Sequence, residues 1–130
     1  VLRQPLHLIA PPGSVSLLQT AGFDVLGMAN NHALDGGEVG LEQSILTLRR
    51  AGISVVGAGL NVETAYRPLV LRIHGRTIAF LAITVIPPIK GSFYSGWTVA
   101  TWDRERVLEE VHTAHSQDDF VVASLHWGEE

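Results

Sequence analysis

Two stretches far apart in the chain hold residues that can do chemistry: Met28-Ala29-Asn30-Asn31-His32-Ala33-Leu34-Asp35-Gly36 and Leu125-His126-Trp127-Gly128-Glu129-Glu130. Each sets a histidine just past an apolar run that reads as a strand. A neutral imidazole ligates zinc, iron or manganese, and an amide oxygen such as that of Asn31 suits hard or borderline divalent ions. An imidazole that does not ligate can pass a proton to a leaving oxygen. Asp35, three residues past His32, can hold that ring in orientation. If the two strands are neighbours, His32, His126 and Asn31 converge at one sheet edge, and the chemistry on offer is metal-centred hydrolysis. The rival reading is structural. Asn30-Asn31-His32 can be a loop whose side chains satisfy backbone groups, Asp35 a helix cap, and His126-Trp127-Gly128 an ordinary strand end.

The elements that would position these residues are legible from periodicity and punctuation. Ser14 to Ala21 predicts a short helix capped by Ser14, with Leu17, Leu18 and Ala21 inward and Gly22 as its stop. Val25 to Met28 predicts a strand, and Glu38 to Ala51 a longer helix with Leu41, Ile45 and Leu48 on one face. Glu38 and Glu42 early and Arg49 and Arg50 late suit the helix dipole, and Gly52 ends it. Ile53 to Val56 is the next strand. Strand, helix, strand in that order is a βαβ unit, hence a parallel pair.

Further on, Leu69–Ile73 and Thr77–Ile83 flank His74-Gly75-Arg76 and predict an antiparallel hairpin with Gly75 in the turn. Val85 to Thr101, with Pro87, Pro88, Gly91 and Gly96, reads as a long structured loop. Asp103 caps a helix to about His115 with Val107, Val111 and Ala114 inward, and Phe120 to Leu125 predicts a final buried strand. The pattern is α/β with a mixed sheet and helices on both faces. Ligands of such sheets collect beyond the carboxyl ends of strands, where both His32 and His126 fall.

Bulk properties narrow the classes. The 130 residues, 46% hydrophobic and 17% charged, make one folded domain with a real core. A formal charge of −4 gives no basic stripe, so nucleic acid is not an expected partner. Absence of cysteine excludes a disulfide scaffold, a thiolate metal site and a cysteine nucleophile. The apolar stretches are too short to span a bilayer, and no signal peptide is visible. Val1 opens without an initiator Met and Glu130 falls on a motif, so the sequence reads as a single incomplete domain excised from a longer protein.

The ordered series of motifs is similar to that of the bacterial poly-gamma-glutamate capsule biosynthesis family. The series runs from Ala29-Asn30-Asn31-His32-Ala33-Leu34-Asp35-Gly36 through Gly40-Leu41, Leu48, Ala51-Gly52-Ile53, Gly57-Ala58-Gly59-Leu60-Asn61 and Ala65. It continues to Ile78-Ala79-Phe80-Leu81 and His126-Trp127-Gly128-Glu129. The resemblance implies a partial calcineurin-like metallophosphoesterase fold, an α/β/β/α sandwich with a mixed sheet, a βαβ unit and one hairpin. It implies two divalent ions in the full-length protein (manganese, iron, zinc or magnesium).

By the same resemblance, Asn31 matches a metal-ligating asparagine and His126 a metal-ligating histidine. His32, with Asp35 beside it, matches the histidine that stabilises the transition state or protonates the leaving group. Asn30, standing where the wider superfamily has glycine, and Glu129 match family positions and are candidates for substrate binding. The family's opening Gly-Asp segment and its downstream His-Pro-His segment have no match here, so about half the ligands of a dinuclear centre lie outside this sequence.

The function implied is capsule biosynthesis, through hydrolysis of a phosphoester or an anionic polymer. The non-catalytic alternative is a binding or scaffold part of a membrane complex that makes and exports the polymer. Either role implies the cell envelope or the extracellular side of the membrane.

Other residues favour bland readings. His112 and His115 suit a helix C-terminus, His74 a hairpin turn, and Gly57-Ala58-Gly59 a tight turn rather than an anion cradle. Trp97 and Trp102, with Phe93 and Tyr94, read as a cluster that pins the long loop rather than a substrate groove.

Overall fold

A computed structural model describes residues 7–88 and 96–128 of the chain. Phe93 and Tyr94 lie outside them. A 3-10 turn at Pro12–Ser14 leads into helix α1 (Val15–Thr20). The expected inward face of that helix is only partly right. Val15 and Leu18 pack on the core, whereas Leu17 and Ala21 are exposed, and Ser14 makes no side-chain cap. A helix of under two turns is too short for its apolar pattern to fix its rotation.

Strand β1 (Val25–Gly27), helix α2 (Gly37–Arg50) and strand β2 (Ser54–Val56) form the expected βαβ unit. Its strands pair in parallel, Val25 opposite Ser54 and Gly27 opposite Val56. Alternation then sorts their side chains. Leu26 and Val55 face α2, where Leu41, Ile45 and Leu48 form the core with Leu34 and Ile53. Val25 and Val56 face the other way, towards Phe80 and Ala82. Full burial of side chains such as Leu41 and Ile45 stabilises by ~1.5–3 kcal/mol each.

Strand β3 (Ala58–Gly59) follows, then helix α3 (Val62–Tyr66), capped by a reciprocal Asn61–Thr64 box. Strands β4 (Leu69–Ile73) and β5 (Arg76–Thr84) make the predicted hairpin. His74 and Gly75 both have positive φ, 49° and 82°, as a two-residue turn matched to strand twist demands. Part of the long loop becomes strand β6 (Thr98–Val99), antiparallel to β3. Helix α4 (Arg104–Gln117) starts at Asp103, whose Oδ1 accepts the Arg106 N–H at 3.1 Å.

Strand β7 (Phe120–His126) pairs in parallel with β5, so the sheet β4-β5-β7 is mixed. This strand departs from the expectation of a buried one: Phe120, Val122 and Leu125 are exposed. Apolar alternation reports strand propensity, not how many neighbours a strand will have, and among the described residues β7 has a partner only in β5.

The packing is layered. Helix α2 covers the outer face of β1-β2, whose inner face meets β5 through Val56, Ala29 and Ala82. On the opposite face of β5, Ile83 packs with Ala65 and Tyr66 of α3 and Val107 of α4. This is α/β/β/α order. Gly57 (φ +84°) sits where the layers approach most closely, and a Cβ there would fall 2.6 Å from the Ala82 carbonyl oxygen and 2.9 Å from Ala29 Cβ. Backbone contact at that point carries the β2–β3 corner beneath the loop that begins at Ala29. Gly57-Ala58-Gly59 is therefore a packing corner.

Candidate metal and catalytic centre

The loop after β1 is a run of tight turns. Backbone bonds from Ala33 N–H to Asn30 O (3.3 Å), Asp35 N–H to His32 O (3.0 Å) and Gly37 N–H to Leu34 O (2.8 Å) deliver it directly into α2. Leu34 anchors it in the core, and Ala29 plugs against Ala82. With those two apolar residues fixed inward, Asn30, Asn31 and His32 line a cavity of about 550 Å³.

His126 reaches the same cavity through strand register. In the parallel pair, Ala82 lies opposite Ser124 and Thr84 opposite His126. His126 therefore shares the face of Ala82, the face that meets the Ala29 loop. Its Nε2 lies 2.9 Å from Asn31 Oδ1 across 95 positions of sequence, and Asn31 is buried. His126 is the last residue of the strand, one position earlier relative to the strand end than its motif implied.

Beside this pair, His32 Nδ1 lies 2.8 Å from Asp35 Oδ2. The same Oδ2 accepts the Leu8 N–H at 2.7 Å. Partial burial pushes the Asp35 carboxyl up, but the Leu8 amide and the His32 ring outweigh it and leave the pKa below its usual 3.8. The carboxylate is thus ionised at neutral pH and accepts, so His32 Nδ1 donates to it. Asp35 does not cap α2, whose N-cap is Gly36 without a side-chain bond. Asn30 serves the loop itself, because its Oδ1 accepts the His32 backbone N–H at 2.9 Å and so fixes the turn. Glu129 lies outside the described residues.

Other cavity-lining residues gave no sign of their place in the sequence reading. Leu8, Ile9 and Met28 also line it, as do Gly40 and Ser44 of α2; the spacing of Gly36, Gly40 and Ser44, one small residue per turn, was the available signal for the latter. Leu8 and Ile9 carried no such signal. Trp97 joins the main core, His112 and His115 are exposed on α4, and His74 occupies the hairpin turn.

The family described as bacterial capsule synthesis protein PGA_cap matches residues 2–130. The chain belongs to that capsule synthesis family. It is 32% identical over 96% of its length to the PGA biosynthesis protein CapA of Bacillus subtilis, and 30% identical over 96% to the capsule biosynthesis protein CapA of Bacillus anthracis. A probable polyglutamine synthesis accessory protein of Mycobacterium tuberculosis is 26% identical over 97% of the chain. The chain spans about a third of the length of these curated relatives, 33%, 32% and 36%. No described helix is long and apolar enough to cross a membrane.

Whether this capsule-family chain suits a divalent ion is a question about its donors. Asn31 Oδ1 and His126 Nε2, 2.9 Å apart, match the ~3 Å span of two adjacent ligands on an octahedral ion with bonds of ~2.1 Å. Among the described residues, no group of three His, Cys, Asp or Glu side chains is arranged to hold a metal. The described chain thus brings two candidate donor atoms side by side, hydrogen-bonded to each other.

Proposed function

We propose that the full-length protein is a capsule biosynthesis protein of the poly-gamma-glutamate type that acts as a metal-dependent, phosphoesterase-like hydrolase at the cell envelope. The convergence of Asn31 and His126 beside the His32–Asp35 pair carries this reading. Asn31 and His126 would hold divalent metal, with further ligands from outside this chain. Bound metal supplies Lewis acidity and a hydroxide nucleophile. The Nε2 proton that bridges His126 to Asn31 must leave for that ring to ligate.

His32 is the acid. Its Nδ1–H stays hydrogen-bonded to Asp35, and its Nε2 proton passes to the leaving oxygen. Asn30 holds His32 in place through the backbone and borders the substrate. The substrate is a phosphoester or an anionic polymer, and the protein works with a membrane complex that makes and exports the capsule polymer.

Steady-state hydrolysis of a test phosphoester by the full-length protein checks this. His32→Ala should lower kcat by ~10²–10⁴ and leave metal content unchanged. Loss of metal along with activity would remove His32 from the acid role.

A second reading, a non-catalytic scaffold in polymer synthesis and export, draws on the names of the relatives, which speak of biosynthesis and of an accessory protein. It predicts a full-length protein without stoichiometric metal and with no esterase activity.

A further inference from the structure

The two halves of the centre meet where His126 Nε2 lies 2.9 Å from Asn31 Oδ1, and His126 is carried to that point at the very end of its strand. It is the last residue of β7, Trp127 beyond it is 72% exposed, and among the described residues β7 has a strand partner only in β5. The ladder also runs out there. After Val85 and Ile86 come Pro87 and Pro88, which have no N–H to extend it.

Thr84 stands opposite His126 in the register and is fully buried. Its N–H donates to the Ala100 carbonyl at 2.9 Å, and its own carbonyl accepts the Trp102 N–H at 2.8 Å. Its main chain is therefore fastened on the Thr101 side, where the two residues form a parallel bridge. The Thr84 hydroxyl has a different partner. It donates to the Ile86 carbonyl at 2.6 Å, closing over Val85 in a local side-chain bond of the kind that ends a strand. The Val85 N–H, enclosed by that bond, donates to the His126 carbonyl at 2.8 Å. One hydroxyl thus fixes the peptide that fastens His126 to β5.

We propose that Thr84 is a positioning residue for His126: its hydroxyl orients the Val85 peptide, and through it the reach of His126 to Asn31. The consequence for metal rests on the reading above, whereas the placement of the ring does not.

The Asn31 side-chain amide signal reports that placement by NMR, in full-length protein labelled with 15N at asparagine and kept free of metal by chelator. His126→Ala marks where the signal lies once the bond to Asn31 is lost. Thr84→Val, which keeps the shape and removes the hydroxyl, should move the signal most of the way to that position. Thr84→Ala, smaller and also without the hydroxyl, should shift it likewise. Thr84→Ser keeps the hydroxyl and should leave the signal where it is in the unmutated protein. So should Ile53→Val, a core truncation at the amino end of β2, which separates positioning from general loosening. Titrated with manganese and zinc after the chelator is removed, Thr84→Val should bind ~10-fold more weakly, with Thr84→Ser and Ile53→Val unchanged. An unmoved signal in both hydroxyl-free variants, or the same shift in Thr84→Ser or Ile53→Val, would overturn the proposal. If the unmutated protein binds neither ion, the metal reading fails and the amide signal still decides the role of Thr84.

Discussion

Asn31 and His126 each bring one polar side chain to the same cleft, but the regions that carry them differ in burial and in how they are held. Asn31 is 5% exposed, in a loop whose Leu34 is 2% exposed, closed by consecutive turns and seated on the α2 core. His126 ends a strand whose Val122 and Leu125 are 47% and 42% exposed. One half of the centre is built by folding of the βαβ unit. The other is placed by the register of β7 on β5, with the Val85 N–H bonded to the His126 carbonyl at 2.8 Å. Rigidity of the first half orients His32 and Asn31, and the second half determines whether His126 reaches them.

The contrast can be broken at points of graded severity. Gly57→Ala should be as harmful as a large core truncation, because the left-handed backbone costs ~1–2 kcal/mol and the clash with Ala82 and Ala29 adds ~1–3. Denaturant unfolding should show a loss of more than ~2 kcal/mol, together with disturbance of the Asn31 loop seen by NMR. Leu34→Ala should cost ~2–5 kcal/mol as a core truncation. Leu125→Ala, half-exposed on β7, should cost less than ~1 kcal/mol. Comparable losses for the two leucines would erase the distinction drawn between the halves.

Smaller effects sharpen it. Asp35→Ala should cost ~1–3 kcal/mol at neutral pH by removing a carboxylate that accepts two hydrogen bonds. The folded-state pKa of Asp35 lies below its usual 3.8, so its contribution is complete above that value and fades as pH falls through the lowered one. The stability gap between unmutated and Asp35→Ala protein should therefore narrow below pH ~4, and a gap that widened in acid would contradict the assignment. Arg76→Ala should do least, with a loss close to the limit of detection, since the Arg76–Asp119 bridge at the start of β7 is exposed. Asp119 keeps its bonds from the Thr77 amide and hydroxyl in that variant.

What could be read from the sequence divides along the same line. The βαβ unit, the hairpin and the site loop rest on local signals: a helical stripe at Leu41, Ile45 and Leu48, a His74-Gly75 turn, and an Asn-Asn-His run before paired glycines. The βαβ unit and the hairpin formed as read, and the Asn-Asn-His run forms a tight loop into α2. Exposure of β7 was not readable, because Phe120, Val122 and Leu125 look alike whether a strand is central or at an edge. The β3–β6 pair escaped because two-residue strands carry no period. Leu8 and Ile9 gave no signal, since their place at the cavity follows from a hydrogen bond to Asp35, a contact across 27 positions.

The central claim is that the two halves of the cleft meet around metal. Metal analysis of the full-length protein, purified without chelator, beside its His126→Ala and His32→Ala variants tests this most directly. The expected result is stoichiometric divalent metal in the unmutated and His32→Ala proteins and a clear deficit in His126→Ala. Equal metal content in all three, or none in the unmutated protein, would contradict it.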